Sequence, residues 1–108
     1  MRKVIVQKFG GTSVADTDKI KNVAKTVIRE KENGNDVVVV VSAMGHTTDY
    51  LVKMANDLSP NPSGREMDML LSTGEGVSIA LLAMAIQAQG YDLSLIHISE
   101  PTRLLSIS

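Results

Sequence analysis

Residues 37–41 are five valines in a row. Branching at Cβ makes each side chain stiff and favours the pleated strand. A strand that is apolar at every position has no polar face to turn to water, so it must be covered on both faces, the habit of a central parallel strand. Upstream, Val4 to Gln7 reads as a first strand. Between the two, from Thr17 to about Glu32, Ile20, Val23, Ala24, Val27 and Ile28 fall on one helical face. Lys19, Lys21, Lys25, Arg29 and Lys31 lie mostly around the other face, the pattern of an amphipathic helix. Asp16, Thr17 or Asp18 can cap its start, and Asn33-Gly34-Asn35 ends it, with glycine suited to the left-handed C-terminal position. Strand, helix, strand is a βαβ unit, and the class is α/β.

Beyond the valines, Ser42-Ala43-Met44-Gly45 leaves the strand through small residues, and Thr47-Thr48-Asp49 offers caps for a helix to about Leu58. Ser59-Pro60-Asn61-Pro62-Ser63-Gly64 is a turn-rich connector. A long helix is then expected from Arg65 to Gln89, with a break near Ser72-Thr73-Gly74. Its second half, Val77 to Ile86, is apolar nearly all round, which predicts burial. Gly90 stops it, and no internal repeat or low-complexity tract is visible.

With 108 residues the chain is one domain at most, or part of one. A net charge of −1 and no Lys/Arg run longer than two give no basis for a nucleic-acid groove or an anionic membrane surface. Disulfides and thiolate chemistry are excluded by the absence of cysteine. The amino terminus lacks the apolar core of a signal peptide, and the longest apolar run, Ile79 to Ile86, is short for a bilayer span, so a cytoplasmic location is expected.

Chemistry concentrates at the strand ends, where ligands bind in open α/β sheets. After the first strand comes Lys8-Phe9-Gly10-Gly11-Thr12-Ser13. A glycine pair lets backbone N–H groups approach an anion, a helix N-terminus adds partial positive charge, and lysine adds a full one. The order is not that of a P-loop, in which the lysine follows the glycines. The alternative is a plain Gly-Gly turn beside a surface lysine. After the second strand come Ser42, Thr47 and Thr48, whose hydroxyls serve either a ligand or only caps and turns. Glu75, between Gly74 and Gly76, precedes the most apolar part of the chain, where a carboxylate needs a partner such as a ligand ammonium. The other reading is a solvated helix-end glutamate. His46 and His97 have no neighbours at metal-ligand spacing, so no metal site is expected, and no Ser-His-Asp order or nucleophile elbow is present. The six methionines read as core filling.

Taken together, Lys8 to Val14, Val39 to Gly45, Arg65 to Leu71 and Ser72-Thr73-Gly74-Glu75 closely resemble the start of aspartate kinases of the amino-acid-kinase superfamily, in order and spacing, as far as about Asp92. The resemblance implies an incomplete three-layer αβα sandwich with a mainly parallel sheet. It also implies phosphorylation of the L-aspartate side-chain carboxylate with ATP and Mg2+, toward lysine, threonine, methionine and diaminopimelate, by an enzyme that is oligomeric when intact. Carried over by position, Lys8 stabilises the transferring phosphoryl group and is the catalytic residue, within a nucleotide-binding stretch of Lys8, Phe9, Gly10, Gly11, Thr12 and Ser13. Ser42 lines the phosphoryl and aspartate region, while Thr48 and Glu75 fix the amino acid.

The pattern departs after Asp92. Leu93 to Ser108 resembles the conceptual translation of a transposon-end sequencing adapter, so residues 1–92 are expected to be kinase-domain sequence and 93–108 a non-native read-through, apolar enough to mimic a strand. A genuine divergent terminus is the alternative. On the leading reading the chain alone is inactive, lacking the adenosine site and regulatory ACT domains of the family. Kinship with acetylglutamate or glutamate kinases, or a self-contained anion-binding module, are the other readings.

Overall fold

The computed structural model describes residues 3–92 and 96–99. Residues 93–95 and 100–108 of the expected read-through lie outside the described residues. In chain order the elements are β1 (Val4–Phe9), α1 (Thr17–Glu32), β2 (Asp36–Val41), α2 (Gly45–Leu58), α3 (Gly64–Ala88) and β3 (Ile96–Ser99). The three strands form one sheet in the order β1-β2-β3, with both pairings parallel, so the valine strand is central as its composition requires. The class is α/β with a parallel sheet.

The register divides the sheet into two unlike faces. Ile5 pairs with Val37, Gln7 with Val39 and Phe9 with Val41, while Val37 and Val39 pair with Ile96 and Ile98. Paired residues in a parallel sheet point the same way, and this set faces the helices. Val37, Val39, Val41 and Ile96 join Ile20, Val23, Ala24, Val27, Ile28, Leu82 and Ile86 in one core. α1 and α3 lie over this face and against each other, and α2 packs on α3. The opposite face carries Val4 and Val6, 65% and 64% exposed, beside half-buried Val38 and Val40. Coverage of β2 on both faces is therefore not met among the described residues, and one of the two helical layers implied by the resemblance is present.

Local chemistry sets the boundaries. β1 runs two residues beyond Gln7, because Lys8 and Phe9 still pair with Val40 and Val41, and the loop opens only at Gly10. Asp16 settles the cap of α1, its carboxylate accepting the Lys19 N–H at 2.9 Å. At the other end Gly34 has φ 88°, and Lys31 reaches across the turn to Asp36 at 3.0 Å. α2 begins at Gly45, so Thr47, Thr48 and Asp49 are first-turn residues rather than caps, and its N-cap Met44 provides no side-chain hydrogen bond. α3 runs 25 residues without the expected break. Its hydroxyls bond back to their own helix, Ser72 to the Met69 carbonyl at 2.8 Å and Thr73 to that of Leu70 at 2.6 Å, so they do not compete with the helical ladder. Ser63 caps it, accepting the Glu66 N–H, and its hydroxyl donates to the Glu66 carboxylate.

The burial expected for the second half of α3 holds on one face only. Leu82 and Ile86 are fully buried, whereas Val77, Ala80 and Met84 face outward. By length and composition α3 could cross a membrane. Its packing against α1 and α2, with Glu75 and Ser78 buried, makes it the central helix of an α/β unit.

Candidate functional site

Parallel pairing puts the carboxyl ends of β1 and β2 side by side, and the loops that leave them meet there. The Ser42 N–H donates to the Phe9 carbonyl at 3.1 Å, lacing the two strand ends together. The Ser13 N–H donates to the Gly10 carbonyl at 3.0 Å and closes a tight turn over Gly10 to Ser13. Gly11 does not have a positive φ. What demands glycine is space: a Cβ on Gly11 would lie 2.8 Å from the Ala43 carbonyl oxygen and 2.9 Å from the Gly45 nitrogen. Gly10 has open space around its Cα.

The loop after β1 thus rests on the first turn of α2. The Thr47 and Thr48 N–H groups donate to the Met44 carbonyl at 3.0 and 3.1 Å, and the Thr48 hydroxyl turns back to the same oxygen at 3.4 Å. A helix start with no side-chain cap presents the positive end of its dipole. From the third side comes α3. A Cβ on Gly74 would lie 3.1 Å from the Ala43 Cβ and 3.5 Å from Thr47 Cγ2, so α3 presses on the same turn. Glu75 follows, 6% exposed, so the solvated helix-end reading does not hold.

Three segments far apart in sequence, around Gly11, Ala43 and Gly74, therefore converge. Lys8 sits at the rim. Strand alternation puts its side chain on the open face with Val4 and Val6, exposed and without an ion pair among the described residues. Phe9 and Ser13 look the other way, into an open depression of about 250 Å3 that they share with Lys19, Asn22, Val23 and Thr26 of α1. Thr12 is exposed on the turn. The structure thus gathers Gly11, Ala43, Gly45, Thr47 and Gly74, with Ser42, Thr48 and Glu75 next to them in sequence, and splits the glycine motif between two sides. Gln7 and Ser78 were not expected as site residues. Both have a buried side-chain oxygen without a hydrogen-bond partner among the described residues, Gln7 one position before Lys8 and Ser78 three after Glu75. A polar residue inside an apolar pattern is the only sequence signal that could have found them.

The start of α2, which has no side-chain cap and against which the Gly11 turn rests, has the donor chemistry that phosphate oxygens take. Among the described residues no three His, Asp or Glu side chains gather.

The chain belongs to the amino acid kinase family, whose model matches residues 3–105. Within it the chain is similar to aspartokinases. The aspartokinase of Bacillus sp. (strain MGA3) is 65% identical over 89 residues, and that of Geobacillus stearothermophilus 66% identical over 88, each match covering 82% of this chain and 22% of the relative. The crystal structure of aspartate kinase from Synechocystis superposes with a TM-score of 0.79 at 60% identity, covering 81% of this chain and 15% of that one. The chain spans about a fifth of the length of the relatives it matches.

Proposed function

We propose that this chain is the amino-terminal part of a cytoplasmic aspartate kinase, an enzyme that transfers a phosphoryl group from MgATP to the side-chain carboxylate of L-aspartate on the route to lysine, threonine, methionine and diaminopimelate. The observation that carries the reading is the convergence of the Gly11 turn, the α2 start and Gly74-Glu75 on Ala43. In-line phosphoryl transfer needs positioning and charge neutralisation more than covalent help from the protein. Lys8 would neutralise charge that develops on the transferring group, and the Gly10 and Gly11 amides would hold phosphate oxygens. Phe9, Thr12 and Ser13 belong to the same nucleotide-binding turn. Ser42 would line the space between phosphoryl group and acceptor, Thr48 would orient the amino acid, and Glu75 would receive its ammonium. ATP supplies the phosphoryl group and Mg2+ shields its charge, and no step here runs through a metal ligand of this chain. Residues 93–108 are given no part in this role, although the family match runs through them to residue 105.

A segment exchange tests the proposal. Residues 3–92 of this chain replace the matching segment of the Bacillus sp. (strain MGA3) aspartokinase, and aspartyl phosphate is trapped as the hydroxamate. Activity within about tenfold of the parent is expected, since a loss beyond that exceeds about 1.4 kcal/mol of transition-state stabilisation. A soluble, folded exchange protein that binds ATP but phosphorylates another acid instead of aspartate would reject the substrate assignment. The 108-residue chain by itself should give no turnover in the same assay.

A further inference from the structure

Ala43 lies between the end of β2 and the start of α2 and is buried. Two glycines from distant parts of the chain meet it. On its backbone side, a Cβ at Gly11 would come 2.8 Å from its carbonyl oxygen, and on its side-chain side a Cβ at Gly74 would come 3.1 Å from its methyl carbon. The other near neighbours of that point beside Gly74 belong to α2: Thr47 Cγ2 at 3.5 Å and Leu51 Cδ1 at 3.6 Å, both at ordinary contact distance. Of these three atoms, the Ala43 methyl is the one that stands closer than that. The bare side of Gly74 therefore faces the Ala43 methyl, and this methyl limits how near α3 can come.

The backbone on either side of Ala43 is tied down. The Ser42 N–H donates to the Phe9 carbonyl, and the Thr47 and Thr48 N–H groups donate to the Met44 carbonyl. Alanine has no side-chain torsion that moves a heavy atom, so a methyl on this backbone is a stop of fixed height. Gly74 and Glu75 are consecutive in the unbroken helix α3, and a displacement of the helix at Gly74 carries Glu75 with it. The Gly11 turn, by contrast, approaches the Ala43 carbonyl and not its methyl. We propose that Ala43 is a positioning residue: its methyl sets how far α3 holds Glu75 from the glycine turn, and so registers the amino-acid acceptor against the nucleotide. The inference rests on the proposed kinase function, in which Glu75 receives the ammonium of the acceptor and the Gly10 and Gly11 amides hold phosphate oxygens. It adds a residue that touches neither substrate yet fixes the geometry between their two sites. Glycine at position 43 would remove the stop, and a second methyl at position 74 would double it.

Moving one methyl across the contact tests this, in the exchange protein that carries residues 3–92. Gly74→Ala sets two methyl carbons 3.1 Å apart and forces α3 outward. The KM for aspartate should rise about tenfold or more, because misplacement by an ångström can cost about a hundredfold, while the KM for ATP should stay within about threefold. Ala43→Gly removes the stop and should raise the KM for aspartate by a smaller factor. The double variant Ala43→Gly/Gly74→Ala again has one methyl in the contact and should return the KM for aspartate to within about threefold of the parent, the non-additivity of touching residues. Gly74→Ala is thus harmful opposite alanine and restorative opposite glycine. General destabilisation does not produce that reversal, since loss of folded enzyme lowers kcat and leaves KM where it was. Should Gly74→Ala alone fail to fold, the comparison of Ala43→Gly with the double variant carries the same test, because the second substitution must then lower the KM for aspartate. A KM for aspartate that is higher in the double variant than in Ala43→Gly overturns the positioning role. So does a KM for ATP that rises as much as that for aspartate. An exchange protein inactive on aspartate before any substitution rejects the proposed kinase function, and the positioning role with it, so the two failures are told apart.

Discussion

Replacing Gly11 by alanine isolates the contact on which the site is built. The new methyl carbon would sit 2.8 Å from the Ala43 carbonyl oxygen and 2.9 Å from the Gly45 nitrogen, both backbone atoms. Ordinary contact needs about half an ångström more, and neither neighbour can swing aside as a side chain would. Either the turn lifts off α2 or the first turn of α2 unwinds. Overpacking of this kind costs about 1–3 kcal/mol. At the middle of that range, with a urea slope of about 1–1.5 kcal/mol/M for a small domain, the unfolding midpoint should fall by about 1.5 M. Gly10→Ala is the internal control, since the neighbouring residue has open space around it and no positive φ, so its midpoint should move little. Both variants are unfolded in urea and followed by circular dichroism under identical conditions. Equal midpoints for the two variants would refute the close approach of the glycine turn to α2, and with it the convergence that defines the site. In a longer, active context Gly11→Ala should also weaken nucleotide binding more than Gly10→Ala does.

Within such an active context, Glu75→Ala should chiefly raise the KM for aspartate, whereas Lys8→Ala should lower kcat by roughly a hundredfold or more; steady-state kinetics in both substrates would expose equal effects, which contradict the two roles. Ser78→Ala should leave stability unchanged or raise it by up to about 1 kcal/mol, because it removes a buried hydroxyl that has no partner among the described residues; a clear loss in urea unfolding would mean that the hydroxyl is bonded in solution. Deleting residues 93–108 should cost no more than about 2 kcal/mol, since among the described tail residues Ile96 enters the core and Ile98 only packs against it; a loss of several kcal/mol would identify the tail as a selected strand and not read-through. Ser63→Ala should destabilise α3 by about 1 kcal/mol through loss of its cap, measurable in the same titration.

How much could be read in advance depended on the range of the forces involved. The βαβ unit was legible because its signals are local: a run of valines, a 3.6-residue period from Ile20 to Ile28, and a glycine at the turn. The start of α2 was not, because Thr47 and Thr48 look like caps, whereas the backbone entering from Ala43 fixes the first turn earlier. Likewise Ser72-Thr73-Gly74 suggested a break that hydroxyl bonding within the helix and close packing at Gly74 remove. In the site, Gly11, Ser42 and Glu75 were visible as residue types at strand and helix ends. That Gly11 is required by proximity to Gly45, and that Ser13 turns toward α1, are tertiary facts with no local signature. The bare side of α3 escaped for the converse reason: apolar composition predicts that a surface will be covered, but not by which neighbour.

The open face of the sheet changes what a substitution at Lys8 would report. Among the described residues β1 is an edge strand, and its exposed side presents Val4 and Val6 between Lys3 and Lys8. Charged residues at the ends of such a strand act as gatekeepers against edge-to-edge stacking with other chains. Removing the Lys8 ammonium would therefore do two things at once: take a cation from the proposed phosphate site and strip one guard from a sticky edge. A Lys8→Ala preparation can lose activity by forming fibrils or soluble aggregates before any chemistry is measured, whereas Lys8→Arg keeps the guard while changing the geometry of the charge. Light scattering recorded alongside the kinetics separates catalytic loss from colloidal loss.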